Sequence, residues 1–279
     1  MRTLVNIIGF MVVISFITAT SLLSVDNSTD KLVVQFSNPD QPGSIKLGLV
    51  NGGITVTGYD GKDVIVEATS RSKSIEKENV EKDAKGMFRI PISSTGLEII
   101  EEDNEMEINV ESWKRTIDVT VKAPFKTNLE LNCVNAGDIY IEKIDGEIDV
   151  DNTNGKITLN DISGSVVANA LNKDIFATLN KVNPEKPMSF STLNGDIDVT
   201  FPANIKASVK LKSDNGEIYS DYEIQLEKNA KKVIEENKRG KGGAYHIEIE
   251  KWISGTINGG GQDMSFTSFN GDIFIRKNK

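Results

Sequence analysis

The chain has one cysteine and one histidine in 279 residues. Cys133 has no second cysteine to pair with, so burial and backbone hydrogen bonds must stabilise the fold without an internal disulfide. His246 lies in an alternating pattern that predicts an exposed strand residue. The counts leave no His/Cys ligand set for zinc and no histidine-based triad. The sequence therefore predicts no catalytic residue, no cofactor and no metal ion.

Negative charge exceeds positive charge, and aromatic side chains are scarce. The chain has 32 Lys and Arg residues against 41 Asp and Glu residues, a net charge of −9, and its aromatic content is 6%. A protein that binds phosphate needs a basic surface, so this balance predicts no nucleic-acid partner. The apolar residues are heavily Ile, Val and Leu, which favours stacked, narrow β layers.

A nine-residue repeat runs from Gly137 to Asn180. The repeat positions are Gly137, Gly146, Gly155, Gly164 and Lys173. Apolar residues follow two and four places later, in the series Ile139, Ile148, Ile157, Val166, Ile175 and the series Ile141, Val150, Leu159, Ala168, Ala177. A short period with apolar residues at i and i+2 predicts a strand of about five residues, buried on one face, and a turn of about four.

The repeat predicts an all-β fold, a single-stranded β-solenoid with about nine residues in each strand-turn unit. If two units make one coil, alternate units stack. The interior columns are then Ile139, Ile157 and Ile175 on one side and Ile148 and Val166 on the other. Asp138, Lys156 and Asp174 would also lie above one another. An antiparallel β-meander or sandwich fits the same period and remains an alternative.

The turn glycines are expected to supply positive φ angles, which other residues resist. Looser copies of the Asn-Gly turn extend the set beyond the strict repeat. The predicted structural turn glycines are Gly137, Gly146, Gly155, Gly164, Gly195, Gly216 and Gly271.

The chain divides into a predicted signal peptide, a polar spacer and one predicted domain. Residues 1–21 resemble a cleaved signal peptide, because the stretch is apolar with small residues at its end. A polar spacer follows at 22–30, and a single β-solenoid domain at 31–279. Charged insertions near 70–85 and 227–243 are expected to form loops. The protein is expected in the periplasm, on the outer surface or secreted, and it would contact a membrane only if 1–21 stayed attached as an anchor.

Two sets of side chains are candidates for a site. The carboxylates after the turn glycines are expected to accept hydrogen bonds from their own turns, a structural role. They are Asp138, Glu147, Asp196, Glu217 and Asp272. The turns lack the spacing of calcium-binding β-roll repeats. Aromatic residues could stack on sugars but are scattered along the sequence, at Trp113, Trp252, Tyr140, Tyr219, Tyr222 and Tyr245.

The recurring Asn-Gly-Asp/Glu/Lys-Ile signal resembles the bacterial adhesin-type, or toastrack, β-solenoid family. Strand-then-proline segments at Val121–Pro124 and Val199–Pro202 and the ending Gly255–Gly261 share this resemblance. It implies a right-handed, single-stranded β-solenoid in an exported envelope protein, and the family has no established general activity. Asn172–Asp174 and the insertion at 227–243 depart from the pattern.

These observations predict an exported, non-enzymatic cell-envelope or surface protein of adhesin-like type. Its solenoid would present a face to another envelope protein or to a glycan. Two alternatives remain open at this stage. One is a polysaccharide-cleaving β-helix enzyme, which needs carboxylates clustered in a cleft. The other is a self-assembling envelope element, which needs an open sheet edge.

Overall fold

A computed structural model describes residues 29–71, 94–227, 233–237, 245–249 and 252–278. These residues form 22 β-strands and no helix, which confirms the all-β fold class. No helix long and apolar enough to cross a membrane occurs among them. The predicted signal peptide lies outside the described residues.

The strands of the first half are β1 Thr29–Gln35, β2 Gly43–Asn51, β3 Ile54–Tyr59, β4 Asp63–Ser70, β5 Glu98–Glu102, β6 Glu105–Asn109, β7 Ile117–Pro124, β8 Thr127–Asn135, β9 Ile139–Glu142, β10 Asp145–Asn152 and β11 Ile157–Ala170. Those of the second half are β12 Ile175–Val182, β13 Met188–Asn194, β14 Ile197–Phe201, β15 Ala207–Ser213, β16 Ile218–Ser220, β17 Ile224–Leu226, β18 Val233–Asn237, β19 Tyr245–Ile249, β20 Ile253–Ile257, β21 Gln262–Asn270 and β22 Ile273–Lys277.

Twenty of the strands form one hydrogen-bonded sheet that folds into two faces. Face A has the spatial order β1, β4, β7, β3, β9, β11, β12, β14, β22, β16. Face B has the order β5, β6, β2, β8, β10, β11, β13, β21, β15, β20, β17. The long strand β11 belongs to both. The inward side chains of both faces form one hydrophobic core.

The registered repeat stacks as a solenoid. Ile157 pairs with Ile139 and with Ile175 on face A, and Ile148 pairs with Val166 on face B. All of these pairings are parallel, so two nine-residue units make one coil and alternate units stack. The predicted solenoid is therefore confirmed, and the antiparallel alternative is wrong for this segment. All eight residues predicted for the interior columns are buried: Ile139, Ile148, Ile157, Val166, Ile175, Ile141, Val150 and Leu159.

The departure at Asn172–Asp174 leaves the coil geometry unchanged. Ile175 keeps its register with Ile157 on one side and with Ile197 on the other. The backbone of Lys173 takes the place of a turn glycine, directly against Gly195 in the next coil.

The coils do not follow one another in sequence order at either end. On face B, β2 lies between β6 and β8, and on face A β3 lies between β7 and β9. At the other end the β21–β22 coil lies between the β13–β14 coil and the β15–β16 coil. The β2–β3 coil and the β21–β22 coil are therefore each second from their end of the parallel stack.

Antiparallel strands cover most of the two ends of the parallel stack. On face A, β4 pairs with β7 and β1 pairs with β4; on face B, β5 pairs with β6. At the far end β20 pairs with β15 and β17 with β20. Of the described parallel coils, only the three-residue β16 keeps an uncovered edge. Short edges resist pairing with further strands.

The turn glycines are needed for a reason other than the predicted one. Of the seven, only Gly164 has a positive φ, 117°. A Cβ atom on Gly155 would lie 1.9 Å from the carbonyl oxygen of Gly137, and one on Gly271 would lie 2.0 Å from that of Gly195. A Cβ atom would also lie too close to the backbone of a neighbouring segment at four other positions: Gly137, Gly146, Gly195 and Gly216. Close stacking of turns, not positive φ, excludes a side chain at these six positions.

Two boundaries differ from the expectation. Strand β1 begins at Thr29, inside the predicted spacer of 22–30. The insertion at 227–243 contains a strand, because Val233–Asn237 pairs antiparallel with Tyr245–Ile249 as a two-stranded ribbon. In the insertion near 70–85, residues 72–85 lie outside the described part of the chain.

Candidate functional site

In six coils, the corner that leads from face B to face A contributes to an asparagine ladder. The ladder consists of Asn135, Asn154, Asn172, Asn194, Asn270 and Asn215, in spatial order. Each Nδ2 donates to the Oδ1 of the preceding residue at 2.8–3.0 Å. Amide ladders of this kind stabilise stacked β structure. This corner is called the Asn corner below.

The turn carboxylates link neighbouring coils, not the ends of their own turns. Oδ1 of Asp138 accepts a hydrogen bond from the backbone amide of Lys156 at 2.8 Å. Oδ1 of Asp196 accepts one from the amide of Asp272, also at 2.8 Å. Asp174 and Asp272 accept equivalent bonds from the amides of Asp196 and Glu217. These aspartates have the structural role that the sequence predicts. Their hydrogen-bond donors, however, lie in the neighbouring coil, so the predicted bonds to their own turns are wrong.

Glu147 differs from the other turn carboxylates. It lies at the opposite corner, where its carboxylate forms a 2.8 Å ion pair with Lys186. Its backbone amide donates to Oδ1 of Asn128 at 2.8 Å.

Cys133 occupies an interior position at the Asn corner where small polar side chains donate to turn carbonyls. Its Sγ donates to the carbonyl oxygen of Gly52 at 2.9 Å. Thr192 and Ser268 make the corresponding hydrogen bonds in other coils. Burial, and secondarily the nearby Asp138 carboxylate, raises the pKa of the Cys133 thiol to about 11. The group is therefore an unreactive thiol at neutral pH, with a structural role.

The outward side of face A carries an aromatic row, defined as Tyr140, Phe176, Phe274 and Tyr219. Tyr140 and Phe176 both pair with Thr158, which lies between them. Tyr219 pairs with Phe274, and the two rings stack at 5.1 Å with an interplanar angle of 10°. At about 4.8 Å per strand, the row extends about 24 Å across six strands. Phe176 is 36% exposed and Tyr219 51% exposed.

Charged groups hold the row in place. The Lys156 Nζ lies 5.0 Å from the ring centre of Phe176, and the Arg276 guanidinium lies 5.0 Å from that of Phe274. Arg276 also forms two hydrogen bonds with Asp198, at 2.7 and 2.9 Å. Asp198 pairs with both Phe176 and Phe274 and so fills the gap between them. The ion pair raises the pKa of Arg276 and orients it over the ring.

Hydroxyl and amide side chains lie beside the rings. Thr158 is in the row itself, and two residues further along the strands are Asn160, Thr178 and Thr200. All four are partly exposed. A flat aromatic surface flanked by hydrogen-bonding groups is suited to a ligand that has both apolar faces and hydroxyls.

The other candidate aromatics lie away from the row. Tyr222 is buried, and its hydroxyl donates to the carbonyl oxygens of Phe201 and Pro202. Burial raises the pKa of Tyr222 to about 12. Trp113 is 63% exposed near the Asn corner, and Trp252 lies 4.2 Å from the Nζ of Lys210.

Tyr245 and His246 lie in the predicted strand, now β19, and the His246 backbone pairs with Glu236. Their side chains are outside the described part of the structure. The description of the six predicted aromatics as scattered is therefore wrong for Tyr140 and Tyr219, which the coils bring into one row.

The comparison with known families agrees with the stacked coils. A model for the Toastrack DUF4097 family matches residues 44–259. The chain belongs to this family. No curated protein matches the chain.

Several solved structures resemble this toastrack chain at low sequence identity. A candidate cell adhesion protein from Clostridium sporogenes is 11% identical, covering 90% of this chain and 100% of its own, with a TM-score of 0.43. A candidate adhesin from Bacteroides fragilis is 11% identical, covering 90% and 97%, with a TM-score of 0.32. A candidate adhesin from Parabacteroides merdae is 8% identical, covering 91% and 98%, with a TM-score of 0.26.

Part of the aromatic row could have been predicted from the sequence of this toastrack chain. Phe176 follows Tyr140 by 36 residues, which is two coils of 18 residues, and that spacing could have placed them together. Phe274 and Tyr219 gave no such signal, because their coils are out of sequence order.

Proposed function

We propose that this protein is exported to the cell envelope or surface, where face A binds a glycan without cleaving it. The observation that carries the proposal is the aromatic row. Sugar rings present apolar C–H faces that can stack on aromatic side chains, while their hydroxyls bond to polar neighbours. Thr158, Thr178, Thr200 and Asn160, which lie on the same side of face A as the rings, support the proposal as partners for those hydroxyls. These polar groups favour a glycan over an envelope protein as the partner.

A non-catalytic role fits the arrangement of the carboxylates at the Asn corner and in the aromatic row. A glycosidase needs two carboxyl groups facing the same bond, and both must be free to exchange protons or attack. Here Asp138, Asp174, Asp196 and Asp272 each accept a hydrogen bond from a neighbouring coil. Asp198 is bound to Arg276. These bonds favour the binding function over the enzyme alternative.

The covered ends of the stack favour a separate molecule over a self-assembling element. Strands β1, β4, β5, β17 and β20 lie antiparallel on the outer coils, and of the described parallel coils only β16 is uncovered. Export is proposed from the apolar segment at 1–21. It places the face A surface where glycans are available.

A binding assay with a panel of polysaccharides tests this proposal. We expect the full wild-type chain to bind at least one polysaccharide and to release no reducing ends from it. The double variant Phe176→Ala/Phe274→Ala should bind at least tenfold more weakly, because two stacking surfaces are lost. Phe269→Ala is the matched control, since Phe269 is 46% exposed but precedes Asn270 at the Asn corner. It should bind like wild type.

Three results would contradict the proposal. Release of reducing ends by wild type would favour the enzyme alternative. Equal weakening by Phe269→Ala would show that the aromatic row is not the site. Absence of binding to every polysaccharide, with a protein captured on face A instead, would make the partner a protein.

A further inference from the structure

The outward side of face B has a pattern that is symmetric about β13. Five neighbouring strands lie in parallel register in the order β10, β11, β13, β21, β15. Strands β11 and β21 are one strand away from β13 on opposite sides, and β10 and β15 are two strands away. A two-fold axis along β13, in the plane of the face, would therefore place β10 of one molecule over β15 of a second copy.

An exposed apolar stripe is centred on β13. It consists of Leu171, Leu193 and Phe269, which are 43%, 42% and 46% exposed. Leu193 lies on β13 between the other two, with Leu171 following β11 on one side and Phe269 on β21 on the other. The two-fold axis would place Leu193 against Leu193 of the second copy, and Leu171 against Phe269. Neighbouring large apolar side chains on a surface are typical of a protein interface.

The charges that flank the stripe have the same symmetry with opposite signs. Asp149 on β10 lies in the same row of paired residues as Lys210 on β15. Asp151 and Lys212 share the next row. The axis along β13 would therefore place each aspartate opposite a lysine of the second copy. Such complementarity between two surfaces favours their association over contact with other partners.

Asp149 and Lys210 lack a charged partner within one molecule. Neither forms an ion pair with any residue that the structure describes. The Lys210 Nζ lies 4.2 Å from the ring centre of Trp252. Burial, and then the nearby carboxylates of Asp151 and Glu130, raises the pKa of Asp149. A second copy would supply the cation that Asp149 lacks in the described part of one chain.

Small side chains occupy the middle of the surface. Ser189 and Ser191 lie on β13, and Ser265 and Thr267 lie beside them on β21. All four are partly exposed, and they leave room for a second sheet to approach closely. From β8 to β20 the surface spans seven strands, about 34 Å, and about 23 Å of strand length. Its area of about 780 Å² is close to the roughly 800 Å² that each partner buries in a standard interface.

We propose that face B joins two copies of this protein in a two-fold dimer with its axis along β13. The apolar stripe forms the central contact, and Asp149 pairs with Lys210 of the second copy at two equivalent points. A contact of this symmetry is closed, so it produces a dimer and not a fibre. Face A lies on the other side of the core, so the dimer leaves both aromatic rows exposed, facing away from each other.

Sedimentation velocity of the full chain tests the dimer by charge reversal. We expect wild type to be dimeric at micromolar concentration. Asp149→Lys and Lys210→Asp should each weaken dimerisation at least tenfold, because each places like charges together at two points of the interface. An equal mixture of the two variants should form a mixed dimer with the affinity of wild type, since every lysine then faces an aspartate. Circular dichroism confirms that both variants are folded.

Leu193→Glu tests the position of the axis. Because Leu193 meets its own copy there, the substitution places two carboxylates together and should weaken dimerisation at least tenfold. Ile100→Glu is the matched control. Ile100 is 50% exposed and pairs with Glu107 on the same side of face B, but it lies on β5, outside the seven strands of the interface. This variant should dimerise like wild type.

Four results would overturn the proposal. They are a wild type that stays monomeric up to roughly 100 µM, a dimer that neither charge reversal weakens, a mixture that does not recover the dimer, and equal effects of Leu193→Glu and Ile100→Glu.

The dimer and the glycan site can be tested separately. The two aromatic rows face opposite directions, so they cannot bind one polysaccharide surface together. Asp149→Lys should therefore keep the polysaccharide affinity of wild type although it is monomeric. Phe176→Ala/Phe274→Ala should remain dimeric even if it no longer binds polysaccharide, and its dissociation would overturn the assignment of the interface to face B.

Discussion

Gly155 lies at a point where the turns of two coils come into contact. A Cβ atom there would meet the carbonyl oxygen of Gly137 and, at 2.6 Å, the Nδ2 of Asn152. Neither neighbour can move freely, because the first is backbone and the second donates to Gly137 within the corner. The φ angle of Gly155 is not in the positive region. A residue that tolerates left-handed backbone, such as asparagine, therefore gains nothing here.

Gly155→Ala should lower the free energy of unfolding by about 1–3 kcal/mol, the usual range for overpacking. Gly48→Ala is the matched control, because a Cβ on Gly48 has nothing within 4 Å. That variant should be neutral or slightly stabilising, since alanine loses less backbone entropy than glycine in a strand. Denaturant unfolding of both variants measures the difference. If Gly155→Asn were as stable as wild type, the close contact would not be the reason for glycine at this position.

The asparagine ladder is an element that joins six coils through side chains alone. All of its hydrogen bonds have the same direction, from one coil to the preceding one in space. A residue inside the ladder both donates and accepts. Asn215, at the end, donates to Asn270 and receives no ladder bond.

Asn172→Ala should therefore destabilise the protein about twice as much as Asn215→Ala. Asn172 loses a bond from Asn194 and a bond to Asn154, and each is worth about 0.5–1.5 kcal/mol. Asn215 loses one. Thermal unfolding of the two variants measures the ratio. Equal losses would mean that the number of ladder bonds does not determine how much stability each asparagine contributes.

The elements that the sequence predicted best are those with a strict period. From Gly137 to Asn180 the nine-residue spacing placed Ile139, Ile157 and Ile175 in one column on the condition that equal coils stack in parallel, and the spacing alone did not exclude an antiparallel meander. The period could not predict the covering strands. Buried and exposed residues alternate along β4 as in any other strand. This alternation is the same for parallel and antiparallel strands, so it could not predict that β4 pairs antiparallel with β7.

The site was less predictable than the fold. Tyr140 and Phe176 share the regular coils, so their alignment follows from sequence spacing. Phe274 and Tyr219 join the row only because β22 inserts between β14 and β16.

At the scale of the whole molecule, the β21–β22 coil supplies a layer of the hydrophobic core on which the stability of the fold depends. Phe266 stacks on Phe190 at 5.3 Å and packs edge-on against Phe201 at 6.2 Å. Removing residues 262–278 should therefore cost more than the 3–5 kcal/mol typical of one buried Phe→Ala change. We expect loss of cooperative unfolding, measured by circular dichroism against temperature.

Replacing residues 228–250 with a short Gly-Ser linker is the contrasting deletion. It removes the ribbon, whose strands β18 and β19 form a separate two-stranded sheet. The melting temperature should change little. A similar loss from both deletions would mean that the ribbon supports the stack, and an unchanged melting temperature after removal of 262–278 would contradict the inserted-coil arrangement.

Assembly of this molecule cannot follow the order in which its coils are synthesised. Asn194 cannot accept its ladder hydrogen bond until Asn270, 76 residues later, has been synthesised. Gly52 cannot accept the hydrogen bond from Cys133 until that residue, 81 residues later, has been synthesised. Closing such long loops lowers the conformational entropy of the chain before any stabilising contact has formed, so the end coils form slowly. The middle coils, 127–182, have nearby partners and can form first. The two end regions therefore keep unpaired strand edges until distant segments arrive, and during that interval a folding chain is most prone to aggregate.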